Sequence, residues 1–275
     1  MKKLLVVFLS AFTLNASAQY AGDTLSPMRV VEKYLSPDGF PEKLRHFCCE
    51  MYQEWGAEKT LGQQLNVKIK RDIHLLHQDT AKAVVTVWLH DSTTSMDVYF
   101  YLLHREVWTI YAARSLVMKD LMKRELNRLD SIPVEQRGKP YANISNHTWK
   151  FDYDNTSLWG KPDTLLAQYF YNHREEFSKL EKMRAKKIPL NAGDTLKMSL
   201  NVDKKMRKAM NKLLLRDILI DPHAPGCVLY HIGGVLDNSV GYIYQPDPAK
   251  VPPVSAGYFI LIRPLGNGWY LYKTT

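Results

Sequence analysis

The stretch Asp79-Thr80-Ala81-Lys82-Ala83-Val84-Val85-Thr86-Val87 decides how the first half of this chain is read. Ala81, Ala83, Val85, Val87 and Leu89 fall on alternate positions, the period of a β-strand with one buried face. Upstream, Val67, Ile69, Ile73 and Leu75 keep an even spacing and lead into a Gln78-Asp79-Thr80 turn. Downstream, residues 91–95 are turn formers, and Met96, Val98, Phe100 and Leu102 make a third alternating run. Trp108, Ile110 and Ala112 make a fourth. Strands joined by turns this short run antiparallel, so the four predict a meander.

Two helices precede the meander. Ser26-Pro27 is a cap followed by proline at the first helical position, and Val30, Val31, Tyr34 and Leu35 follow as a short apolar stripe. After the Ser36-Pro37-Asp38-Gly39 turn, Leu44, Phe47, Cys48, Met51, Tyr52 and Trp55 occupy one face of a second helix. Helices followed by an antiparallel sheet are an α+β layout. This order resembles the NTF2-like (cystatin-like α+β) superfamily over about residues 26–117. The quoted 79–87 stretch is similar to that superfamily's charged turn followed by alternating valines. Asp97-Val98-Tyr99-Phe100-Tyr101-Leu102 with Trp108-Thr109-Ile110 resembles its last hairpin. His104-Arg105-Glu106 replaces the usual glycine turn there. The resemblance implies helices packed on a curved antiparallel sheet, with a cone-like pocket.

A charge-rich helical stretch runs from Leu116 to Leu129. Residues 131–161 are rich in Pro, Gly, Asn, Ser and Asp but carry Trp149, Phe151, Tyr153 and Trp159, so they read as an ordered linker packed on a domain. A second unit covers 162–275. Leu166, Tyr169, Phe170, His173, Phe177 and Leu180 share one face of a helix spanning 163–187, and Met206, Met210, Leu213 and Leu214 mark another. Four strand-like runs close it: 227–232, 240–244, 258–262 and 269–272. The helices-then-sheet order of the first half recurs, with Trp269 placed like Trp108.

The first eighteen residues read as an address. Met1-Lys2-Lys3 is a basic head, Leu4 to Leu14 an apolar run, and Ala16-Ser17-Ala18 a cleavage signal before Gln19. The apolar run is shorter than the ~20 residues of a membrane-spanning helix. The expectation is a signal peptide over 1–18, cleaved after Ala18, and an NTF2-like domain over 19–130 that works in the periplasm or outside the cell. Of the formal charge of +9, Lys2 and Lys3 contribute two, and the rest is spread along the chain, with its densest clusters, Lys179 to Lys187 and Lys204 to Lys212, on predicted helix faces. An exported chain argues against nucleic acid as a partner. With 45% hydrophobic and 24% charged residues the chain can bury a core without disulfides. Cys48, Cys49 and Cys227 are odd in number, so at least one thiol stays free or pairs between chains. Cys48 continues the apolar helix face and reads as a buried thiol, with a bridge from either neighbour to Cys227 as the alternative. Adjacent cysteines on a helix do not readily bond each other.

No complete catalytic motif is present. His74, His77, Asp72, His90 and His104 cluster along predicted strands, but no base-and-orienter pair of the NTF2-like enzymes matches residue by residue. Asp221, His223 and Cys227 lie in a Pro- and Gly-rich turn, where the strand-entry loop is the simpler reading. There is no phosphate loop, dinucleotide fingerprint, HExxH or CxxC, so neither cofactor nor metal is implied. Aromatic alternation is the better clue. Tyr99 and Tyr101 lie opposite Phe100, and Tyr242, Tyr244, Tyr270 and Tyr272 repeat the pattern, so outward tyrosine faces are expected to bind a ligand, glycan or protein. The function expected is therefore non-catalytic binding. A small hydrolase or isomerase using a pocket histidine, and an inhibitor or immunity protein against a secreted enzyme, are the alternatives.

Overall fold

The computed structural model describes residues 25–65, 68–92, 95–116, 119–137, 147–188, 198–235 and 238–275. The expected signal peptide over 1–18 and Val67 lie outside these residues. The fold is α+β, with eight α-helices and two antiparallel sheets among the described residues. The described residues divide into two compact units, one holding those from 25 to 87 with 100–113, the other those of 88–99 with 114–275.

In the first unit, α1 (Pro27–Tyr34) starts where Ser26 Oγ accepts from the Arg29 N–H at 3.3 Å. It buries Val30, Val31 and Tyr34. The helix expected from Leu44 to Trp55 is interrupted. Residues 43–46 form a single 3-10 turn, Phe47 is extended, and α2 begins at Cys49 (Cys49–Trp55). The reason is tertiary: Phe47 forms a parallel bridge with Ile110, and the Cys48 N–H donates to the Ile110 carbonyl at 3.1 Å. Phe47 and Met51 are buried and Trp55 half-buried, whereas Leu44 and Tyr52 are 52% and 54% exposed. Tyr34 meets Phe47 and Phe100 edge-to-face at 5.4 and 5.7 Å. A short helix, α3 (Leu61–Gln64), carries a capping box between Thr60 and Gln63.

The first sheet is the expected meander, β1 (Lys70–Gln78), β2 (Lys82–His90), β3 (Ser95–His104) and β4 (Trp108–Arg114), in that order. Asp79 Oδ1 accepts from the N–H groups of Ala81 and Lys82, both at 2.7 Å, and makes the β1–β2 turn. The β3–β4 turn closes without glycine, with the Arg105 N–H donating to Val107 O at 3.1 Å. β1 departs from the expected alternation. It is an end strand of the sheet, and Leu75 is 42% exposed. In β3, residues 98–102 are all buried, so both faces of that strand are covered.

In the second unit, α4 (Lys119–Asp130) precedes the segment read as a linker. Residues 149–159 of that segment are instead α5 (Trp149–Trp159), which buries Phe151, Asn155, Leu158 and Trp159. Thr148 caps it, its Oγ1 accepting from the Phe151 N–H. The long helix expected over 163–187 is two, α6 (Asp163–Asn172) and α7 (Arg174–Lys187), broken at His173, where φ is −120°. Then follow β5 (Met198–Ser199), α8 (Lys204–Lys212), β6 (Asp217–Ile220), β7 (Val228–Val235), β8 (Asn238–Tyr244), β9 (Phe259–Gly266) and β10 (Trp269–Thr274). The sheet order is β5-β6-β7-β8-β10-β9. β10 therefore sits between β8 and β9, an order the first sheet does not share. One face of this sheet carries Tyr230, Tyr242 and Trp269 against Phe170 and Phe177, with ring centroids 4.9–5.6 Å apart. The other face packs Leu229, Ile243, Phe259, Ile262 and Tyr272 with Ala224 and Cys227.

Candidate functional site

The second unit holds a buried ionic cluster at the start of α6. Pro162 is the N-cap and Asp163 the first helical residue. The Asp163 N–H donates to Asp97 Oδ2 on β3 at 3.1 Å, so a carboxylate from another element satisfies an otherwise orphaned helix N–H. Lys273 on β10 sends its ammonium to Asp163 Oδ1 at 2.7 Å and to Asp97 Oδ2 at 3.0 Å. The Tyr99 hydroxyl donates to both oxygens of Asp163, at 2.9 and 3.0 Å, and the Lys273 ammonium lies 5.8 Å from the Tyr99 ring centre. Burial pushes the Asp163 carboxyl above its ordinary value, against the pull of Lys273. Burial works against the Lys273 ammonium as well, but the Asp163 and Asp97 carboxylates outweigh it and hold its pKa above the ordinary 10.5.

A recess opens over this cluster. Asp97 and Lys273 line it together with Met96, Leu116, Met122, Trp159 and Pro162. Its free volume is about 400 Å³ counting space continuous with solvent, of which about 30 Å³ can take the centre of a water molecule. That is room for two waters or the tip of one side chain, not for a bulky ligand. Two glycines shape it. A Cβ on Gly160 would lie 1.7 Å from Met122 Sδ, and one on Gly233 would lie 2.9 Å from Trp159 Cδ1. Without side chains there, Met122 and Trp159 settle into place as walls. Behind Trp159, Asn155 Nδ2 donates at 2.7 Å to the carbonyls of both Leu214 and Ile232, and Arg216 Nε donates to Asn155 Oδ1 at 2.9 Å.

Four of the six tyrosines expected to face outward are buried instead. Tyr99, Tyr101, Tyr242 and Tyr272 are 0–1% exposed. Tyr242 spends its hydroxyl on the Leu166 carbonyl at 2.8 Å. Tyr244 and Tyr270 are half-buried, and the register separates them. Tyr244 pairs with Trp269 and Tyr270 with Ile243, so the two project to opposite faces of the sheet. Alternation along single strands was legible, but both faces of the sheet are covered, so Tyr242 on one face and Tyr272 on the other are both core.

The histidines do not converge either. His74 and His77 are exposed, and His77 faces Asp79 at 3.5 Å. His90 stacks on Trp88 at 3.8 Å. The His104 ring lies 4.7 Å from that of Trp108, tilted by 45°, beside an open groove that includes Gln78, Asp79 and Thr80. Asp221 and His223 do meet, with Nδ1 3.1 Å from Oδ1, and Tyr258 donates to Asp221 Oδ2 at 2.6 Å. Cys227 is not their partner; its Sγ lies 3.6 Å from the Lys250 carbonyl, and burial pushes its thiol up. Among the described residues no group of three or more His, Cys, Asp or Glu could hold a metal ion. No helix among them is long and apolar enough to cross a membrane.

Sequence reasoning passed over Asp97, Asp163 and Lys273, although a signal existed for one. Lys273 follows Trp269 and Leu271 at even spacing on a strand whose phase points to the core. No family model, curated protein or solved structure matches the chain.

Proposed function

We propose that the chain is an exported, NTF2-like binding protein that works without catalysis, and that the recess over Lys273 seats a small polar-tipped group of its ligand or partner. The observation that supports it most is the ionic cluster. Its carboxylates, ammonium and hydroxyl are committed to one another, and no nucleophile stands beside a base. Two of the three Lys273 N–H groups go to carboxylates, which leaves one donor for a guest. Met96, Leu116, Met122, Trp159 and Pro162 supply an apolar collar around that donor, the mixture typical of specific binding sites. Helices followed by a four-stranded meander support the NTF2-like reading of the first unit, and residues 1–18 support export.

The test is a screen of small amides and carboxylates by NMR, read at the Met122 methyl and the Trp159 indole. Saturable shifts in the wild type that disappear in Met122→Trp, which fills the recess and leaves the ion cluster intact, support the reading. Binding that survives the filled recess, or no binding by any probe, overturns the assignment. Turnover of a hydrolase or isomerase substrate that is lost on His104 or His223 substitution, with folding intact, transfers the reading to the enzyme class.

A further inference from the structure

The helical spacing predicts Cys48 and Cys49 as neighbours on one helix that do not readily bond each other. The structure places them otherwise. Cys48 is the extended N-cap of α2, with φ −148° and ψ 169°, and Cys49 is left-handed, with φ 55°. A left-handed conformation is rare for a residue with a Cβ, and such strain persists only where the surroundings impose it. Its effect is to fold the Cys49 side chain back. The Cys49 Sγ–H donates to Cys48 Sγ at 3.4 Å, and Cys48 in turn reaches Thr109 Oγ1 at 3.6 Å. Cys49 is exposed and Cys48 buried, and both are free thiols. Burial raises the Cys48 thiol further.

We propose that Cys48-Cys49 is a reversible thiol-modification site that closes to a disulfide between neighbours in the chain by exchange with a disulfide oxidant. The exposed Cys49 loses its proton, and its thiolate attacks one sulfur of the oxidant, forming a mixed disulfide and expelling the first thiolate. Cys48, already in contact, then loses its proton and attacks Cys49 Sγ, expelling the second thiolate. The two protons given up by the cysteines end on the two departing thiols. The oxidant is reduced by two electrons and the pair is oxidised by two. Cα atoms across one trans peptide are closer than an ordinary disulfide spans, so the ring is strained and opens readily to a reductant.

The experiment treats the full chain with oxidised glutathione, quenches with acid and maps tryptic peptides by mass spectrometry. Cleavage after Arg45 and Lys59 gives one peptide, residues 46–59, with both sulfurs. The expected product is that peptide two hydrogens lighter, without glutathione, restored by dithiothreitol and unchanged in Cys227→Ser. Cys48→Ser should stop at the glutathione adduct on Cys49, which shows that Cys49 attacks first. An adduct that persists on Cys49 in the wild type, a bridge to Cys227, or no reaction of either thiol overturns the proposal.

Discussion

Lys273 Nζ stands 2.7 Å from Asp163 Oδ1 with the two side chains 3% and 7% exposed, which ties the core-facing phase of β10 to the first residue of α6. Ions this deeply buried are costly to hold apart from water, and removing one partner strands the other. The contact therefore reports on whether strand and helix are docked, and several consequences can be measured.

Stability should fall above pH about 10. Burial raises Tyr230, Tyr242 and Tyr272 above the ordinary 10.0. For Lys273, burial opposes the charge, and Asp163 and Asp97 outweigh it to raise the pKa above 10.5. Between the unfolded value and the higher folded one the native state binds more protons, so each such group loses stability as pH rises. Urea midpoints at pH about 8 and about 11 should differ, with the alkaline one lower. Equal midpoints would contradict the burial of these groups.

Tyr99 and Tyr272 should respond oppositely to loss of a hydroxyl. The Tyr99 hydroxyl supplies Asp163 with a donor, so Tyr99→Phe should cost about 1–3 kcal/mol. The buried Tyr272 hydroxyl has no hydrogen-bond partner among the described residues, so Tyr272→Phe should be neutral or stabilising by up to about 1 kcal/mol. Denaturant melts of the two variants decide this; similar losses would mean that the Tyr272 oxygen is satisfied.

Phe47→Ala should cost about 3–5 kcal/mol, since the ring is buried against Tyr34 and its backbone pairs with Ile110. Tyr52→Ala, at an exposed site, should stay within about 0.5 kcal/mol. Comparable costs at both positions would restore the uninterrupted helix that the spacing suggests.

Asn155→Leu should destabilise by about 2–5 kcal/mol, because the carbonyls of Leu214 and Ile232 both lose a buried donor and Arg216 loses an acceptor. Calorimetry would show it as a lowered midpoint, and an unchanged midpoint would place that amide outside the core.

The meander of the first unit was legible because a period of two survives any packing partner, as Val85, Val87 and Leu89 show by being fully buried. The interruption at Phe47 was not. Leu44 to Trp55 satisfy helical spacing, and only pairing with Ile110, distant in sequence, pulls Phe47 out. α5 was hidden for a related reason. Its polar Asn155 and Asp152 face inward to bond Leu214, Ile232 and Arg216, so composition resembled a loop. The candidate site was the least legible. Asp97, Asp163 and Lys273 come from three separate elements, and nothing local announces that a strand tail, a helix start and a hairpin strand converge.

The insertion of β10 between β8 and β9 bears on how the second unit is made. β9 is synthesised first, yet its neighbour in the sheet is β10. A chain emerging N-terminus first, from a ribosome or through a pore, presents β9 as an unpaired edge until Thr274 has cleared. Until β10 is available, β8 lacks its neighbour as well, and a product stalled or clipped before β10 keeps open strand edges that other chains can pair with.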